Sequence, residues 1–393
     1  MKVKKEGLSC ISCGLHEGVA SHKILPHGHG KKGILIIGEA PGTVEDRRNL
    51  PWQGQSGRLL EKTLAQLGVN LFEDCVSVNA VNCRPPNNRA PKPFEMDCCR
   101  AVVLNNIFET FKPKVIILLG SIALQSFMSP RWPSDLGAIA KWRGWCIPDR
   151  DYKAFVVPTY HPSYILRIDS REANTVWKQD LEKAVEAVGK PFPRFQEPTI
   201  EIIEDLSIFN DAENHIDEMA FDYETTGLKS QGKGHRIVCA SVAFNSTKVF
   251  AFMMPDTKLE RKPFVDLLTN PSIGKMAHNM KFEHAWTLNR LKVEVQNWHW
   301  DSMIAAHNLD NRSGVTGLKF QTYVNFGVID YSSEITPYLR SDSGGNGFNK
   351  IYELLEQEGG PEKLLKYCAL DSHYEYILAQ KQMDEMNYND LPF

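Results

Sequence analysis

Four short apolar runs place the strongest constraint on how the first half of this chain can fold. They are GILIIG at 33–38, VSVNAV at 76–81, KVIILLG at 114–120 and AFVVP at 154–158. Short runs of this kind, rich in Val and Ile, read as strands buried on both faces. Helical patterning lies between them, at 56–67 and from Ser121 onward. Strands that alternate with helices predict an α/β fold with a parallel four-stranded sheet flanked by helices. Three loops follow the carboxyl ends of these runs, where such sheets bind ligands. They begin at Gly38-Glu39-Ala40-Pro41-Gly42, at Asn82-Cys83-Arg84-Pro85 and at Thr159-Tyr160-His161-Pro162.

The chain has 393 residues, 42% of them hydrophobic and 24% charged, which fits a soluble protein of roughly two to three domains. No apolar run approaches the ~20 residues needed to span a bilayer. The basic start, residues 1–6, lacks an apolar signal core after it. The expected location is therefore cytoplasmic, away from membranes, and the nine cysteines are expected as thiols or metal ligands. Charge divides unevenly. Residues 1–195 hold 27 Lys+Arg against 19 Asp+Glu, a net of +8, and residues 196–393 hold 18 against 29, a net of −11. The basic half is the better phosphate-backbone binder. Three prolines, Pro191, Pro193 and Pro198, lie where the charge changes sign. These signals predict a first domain at 1–190, a linker at 191–198 and a second domain at 199–393.

Cys10 and Cys13 form a C-x₂-C pair, and Cys83 and Cys99 follow, with Cys98 as an alternative to the last. Four thiolates from separated segments can close a zinc site or hold an iron–sulfur cluster, and spacing alone does not choose.

In the second half, Asp222 and Glu224 stand two residues apart in FDYETTGL at 221–228. On a strand they share a face, and two carboxylates on one face call for a hard cation such as Mg²⁺ or Mn²⁺. The runs at 219–228, 236–244 and 248–252 suit an antiparallel meander. Residues 275–283 read as a strand entering a helix. A long helical pattern covers 360–386, where Tyr367 and Asp371, four apart, share a face.

The first half resembles the family 4 uracil-DNA glycosylases over residues 8–187. GEAPG at 38–42 with Glu45-Asp46, LPWQGQSGRLL at 50–60, NAVNCRPPNNR at 79–89 and YHPSYILR at 160–167 carry the resemblance. It implies a [4Fe–4S] cluster on Cys10, Cys13, Cys83 and Cys99. Uracil excision needs a base held outside the stack. By the resemblance Trp52 stacks on uracil, and Asn79 reads its edge beside Gly38. His161 stabilises the departing base, Glu39 and Glu45 position water or support a cationic sugar, and Arg84, Arg89 and Arg167 meet phosphates. The chain departs from the family at Asn49 for Gly, Trp52 for Phe and Asn82 for Lys.

Residues 197–388 resemble the DEDDy 3′–5′ proofreading exonuclease domain of family A DNA polymerases. The motifs are Asp222-Tyr223-Glu224-Thr225-Thr226, then His278-Asn279-Met280-Lys281-Phe282-Glu283, then Tyr367 to Asp371. The resemblance implies an RNase H-like mixed sheet and two Mg²⁺ or Mn²⁺ ions held by Asp222, Glu224 and Asp371. Glu283 would support the second ion, with Glu where the family has Asp. Tyr367 would orient the attacking water, and Thr225, Leu228, Asn279 and Phe282 would touch the terminal nucleotide. The expected substrate is DNA, as single strands, 3′ ends or uracil-containing strands. With no polymerase motifs after Asp371, the expected partner is a separately encoded DNA polymerase, as in a phage replication system. The alternative is a non-catalytic DNA-binding accessory or scaffold.

Overall fold

The structure is a computed structural model, and it describes residues 8–132, 134–210, 215–342 and 347–388. The basic start at residues 1–6 lies outside the described residues. The chain divides into two compact units between Arg194 and Phe195, inside the proline-rich segment. Tyr323–Ile329 groups with the first unit, and no sequence signal pointed to that.

The first unit is built on strands β1 (Ile34–Gly38), β2 (Cys75–Asn79), β3 (Val115–Leu119), β4 (Ile147–Asp149) and β5 (Ala154–Thr159), in the order β2-β1-β3-β5-β4. The four expected strands run parallel. β4 adds an antiparallel edge that sequence patterning missed. It is three residues long and contains Pro148, which edge strands tolerate. β1 and β3 are buried along their whole length because helices cover both faces. The core joins Ile34, Ile36, Val115 and Ile117 to Leu60 and Leu64 of the helix Gln55–Gln66, and to Trp177 and Leu181 of the helix Arg171–Ala187.

The second unit holds β6 (Thr199–Ile202), β7 (Glu218–Thr225), β8 (Ile237–Ala243), β9 (Lys248–Met253), β10 (Gly274–Ala277) and β11 (Trp298–Asp301). Their order is β11-β10-β7-β8-β9-β6. β7, β8 and β9 form the expected antiparallel meander. β10 joins β7 in parallel, β11 joins β10 in parallel, and β6 pairs with β9 in parallel at the far edge. This is the mixed RNase H-like sheet the second resemblance called for. The helix Gly360–Glu385 lies across β7, β8 and β9. Leu364, Leu365 and Cys368 of that helix pack on Val238, Val249 and Ala251. Among the described residues no helix is long and apolar enough to cross a membrane.

Candidate active sites

In the first unit, parallel pairing sets the carboxyl ends of β1 and β2 side by side, with Gly38 opposite Asn79. Gly38 must lack a side chain. A Cβ there would stand 2.4 Å from Asn79 Oδ1 and 2.9 Å from Trp52 Cζ2. Trp52 adopts φ +58°, and Gly57 admits its carbonyl, which a Cβ would meet at 1.8 Å. The indole so placed lies 5.9 Å from the His161 ring at 30°. Trp52, Asn79, His161, Glu45 and Arg167 line one cavity of about 380 Å³. Glu39, Arg89, Tyr160 and Tyr164 line a neighbouring cavity of about 670 Å³, which also shares His161 and Arg167.

His161 caps the helix Pro162–Ile168. Ser163 N–H donates to its Nδ1 at 3.2 Å, so the neutral ring carries its proton on Nε2. Burial and the Arg167 guanidinium push the ring down to about 4. Burial pushes the Glu39 carboxyl up, and Arg167 partly opposes this. Glu45 is less free than its role in the resemblance requires. Its carboxylate accepts from Gly54 N at 2.7 Å and Gly42 N at 3.2 Å, so it braces the loop that carries Trp52. Arg89 is also engaged, in a two-point pair with Glu95 at 2.9 and 2.5 Å. Arg84 donates to Asn88 Oδ1 at 2.7 Å. Asn82 is buried and bonds Asn79 O through Nδ2 at 3.2 Å, holding Asn79 in place.

Burial pushes the Cys99 thiol up to about 12, and the charges of Cys13, Cys83 and Cys10 add to the rise. Burial likewise raises Cys83, again with Cys10 and Cys13 as neighbours. Cys83 and Cys99 share one buried cluster, with Cys13 packed against it. A buried group of thiols such as Cys83 and Cys99, with Cys13 beside them, suits a cationic metal group, which would take up thiolate charge.

In the second unit, β7 presents Asp222 and Glu224, and the helix Gly360–Glu385 presents Asp371. Oxygens of these three residues lie within 4.8 Å of one another, a grouping able to hold a metal ion. Burial raises both Asp222 and Glu224 well above the ordinary range, and neighbouring acids raise them further. Such a cluster fits divalent cations, which would remove the repulsion. Glu283 is buried, its Oε2 has no hydrogen-bond partner, and burial and the Asp222 charge raise it. Asn279 sits at φ +73° ahead of the helix Met280–Trp286, where Asp301 Oδ1 accepts its N–H at 3.1 Å. The Asn279 Oδ1 is buried without a partner. Thr225 spends its hydroxyl on Gly227 O at 2.7 Å. Leu228 is exposed, whereas Phe282 packs against the core of this unit.

Sequence patterning missed two groups here. Tyr331 donates to Asp371 Oδ1 at 2.6 Å, and Lys319 forms an ion pair with the same oxygen. Neither stands in a motif, and a lysine on a short helix reads as solvated surface. A third missed feature is a buried chain in which His278 Nδ1 meets Ser302 Oγ at 2.8 Å and Ser302 donates to Glu375. Burial pushes Glu375 up to about 8 and His278 down to about 3.

Comparison with known proteins assigns both halves. The family described as "Uracil DNA glycosylase superfamily" matches residues 25–185, and that described as "3'-5' exonuclease" matches residues 199–387. A type-4 uracil-DNA glycosylase of Thermotoga maritima is 38% identical over 189 residues, covering 48% of this chain and 92% of the relative. One from Archaeoglobus fulgidus is 33% identical over 194 residues, covering 49% of this chain and 94% of the relative. A DNA polymerase of Bacillus phage SP01 is 30% identical over 140 residues, 36% of this chain but 14% of the polymerase. Among solved structures, Escherichia coli RNase D aligns over 49% of this chain and 46% of its own, at 18% identity and a TM-score of 0.37. The chain belongs to the uracil-DNA glycosylase superfamily through its first half and carries a 3′–5′ exonuclease domain in its second.

Proposed function

We propose that the protein is a two-domain DNA-processing enzyme, with a divalent-ion-dependent 3′–5′ exonuclease at 199–393 and an iron–sulfur uracil-DNA glycosylase at 1–190. The observation that carries the first activity is the grouping of Asp222, Glu224 and Asp371 oxygens within 4.8 Å. Divalent ions bound there would supply positive charge to the attacking and leaving oxygens of a phosphodiester. Asp222 would hold both ions, with Glu224 and Asp371 completing the set. Glu283 acts from the side of Asp222, through water, so that its extra methylene is absorbed. Tyr367, one helical turn from Asp371, orients the attacking water. The exposed Leu228 meets the terminal nucleotide.

For the glycosylase, Trp52 stacks on a flipped uracil while Asn79 pairs with its edge. The His161 Nε2–H donates to the oxygen on which charge collects as the base leaves, a dipole placed before the reaction. Glu45 acts by holding the Trp52 loop, which leaves Glu39 as the acid facing the sugar side. The Tyr160–Tyr164 pair, with centroids 4.9 Å apart, and Arg167 receive the flanking strand. Cys10, Cys13, Cys83 and Cys99 hold the [4Fe–4S] cluster and tie the chain start to the β2 loop. The polymerase partner rests on the exonuclease family alone, because the phage match spans 14% of that polymerase.

An end-labelled oligonucleotide incubated with Mn²⁺ tests the nuclease, with Asp222→Ala as control. Equal degradation by both proteins would refute the assignment. Uracil-containing single strands treated with alkali test the glycosylase. No cleavage at uracil would leave the first domain a DNA reader and favour the accessory role.

A further inference from the structure

Lys319 lies on the helix Leu318–Phe326, far in sequence from the three exonuclease motifs. Its ammonium pairs with Asp371 Oδ1, the oxygen that also accepts the Tyr331 hydroxyl. It stands 4.0 Å above the Tyr331 ring and 4.3 Å above the Tyr367 ring. The ammonium is thus held over two aromatic faces and against one of the three grouped carboxylates. The Lys319 side chain remains 31% exposed while that of Asp371 is 9% exposed, so the lysine sits on the open side of the cluster.

A cation over two aromatic faces and a carboxylate is well held, yet lysine is a single point charge on a flexible stem. A divalent ion that takes Asp371 would stand within a few ångströms of Nζ. Two cations cannot share one carboxylate oxygen at that range without strong repulsion. The ammonium and the ion therefore compete for Asp371, and the open side gives the lysine somewhere to go.

We propose that Lys319 is the resident counter-ion of this site: it neutralises the acid cluster before divalent ions load and must leave Asp371 for them to bind. Lys319 is thus a positioning residue that sets how much free metal the exonuclease needs. The inference rests on the reading that Asp222, Glu224 and Asp371 hold divalent ions.

The test is Mn²⁺ binding to the full chain without DNA, followed by electron paramagnetic resonance, beside thermal melts in chelator and in Mn²⁺. Lys319→Met removes the charge and keeps most of the stem. Its Mn²⁺ affinity is expected to rise by about tenfold, the effect of one unit charge partly screened by solvent. Its melting temperature is expected to fall in chelator and to recover in Mn²⁺, because the ion replaces the missing charge. Lys319→Arg is expected to keep the wild-type melt in chelator. If Lys319→Met fails to fold, Lys319→Gln carries the same expectation. Equal or weaker Mn²⁺ affinity in the uncharged variants, or a melting loss that Mn²⁺ does not repair, would overturn the proposal. No Mn²⁺ binding by the wild type and by Lys319→Met would overturn the divalent-ion reading and this proposal with it. Asp222→Asn, expected to lose Mn²⁺ binding, marks that second case.

Discussion

Asp222→Asn separates stability from activity at the acid cluster. The substitution keeps the shape of the side chain and removes one of three charges whose oxygens lie within 4.8 Å. Two full charges at 4.8 Å repel by about 3.5 kcal/mol at an effective dielectric constant of about 20. Part of that is already relieved, because burial and the neighbouring Asp371 raise Asp222 and favour its protonated form. Lys319 relieves another part. The net gain expected from Asp222→Asn in chelator is about 1–3 kcal/mol. For a domain of this size that is a rise of about 3–9 °C in melting temperature. With Mn²⁺ present the order reverses, since the wild type gains a bound ion and the variant does not. Paired melts in chelator and in Mn²⁺, with 3′-end degradation measured on the same samples, give both readings. A variant that melts below the wild type in chelator, or that still shortens DNA, would refute the reading that these acids repel one another unless cations are bound.

Gly38→Ala would push a Cβ into Asn79 Oδ1 at 2.4 Å and the Trp52 ring at 2.9 Å. Overpacking of this kind costs about 1–3 kcal/mol, and uracil excision should fall further than stability, which single-strand cleavage assays and urea melts compare directly. His161 is pushed from 6.5 to about 4, so between those values the unfolded chain binds a proton that the native chain refuses. Stability therefore falls as pH drops through that window, by up to roughly 2 kcal/mol for a partly exposed ring. His161→Leu should flatten the fall, and an unchanged urea midpoint profile would count against a half-buried neutral imidazole. Cys83→Ser should lose iron and the visible absorbance near ~400 nm expected of a cluster, while a variant that retains full iron would remove Cys83 from the ligand set.

Local pattern carried much of this protein. Strands β1, β2, β3 and β5 follow from short Val- and Ile-rich runs, because only a doubly covered strand hides such a run. The shared faces of Asp222 with Glu224 and of Tyr367 with Asp371 follow from strand and helix periods alone. What those periods lack is distance between segments. That β7 and the helix Gly360–Glu385 bring three carboxylates within 4.8 Å is a product of packing across nearly 150 residues of chain. The same holds for Lys319 and Tyr331, which carry no motif and gain their meaning from the oxygen they share on Asp371. Glu45 shows the converse, since a motif acid becomes a loop brace once Gly42 and Gly54 turn their N–H groups toward it. Residue type and spacing thus determined which groups could do chemistry, and tertiary contact decided which of them are free to do it, because the field at a side chain comes from whatever the fold sets beside it.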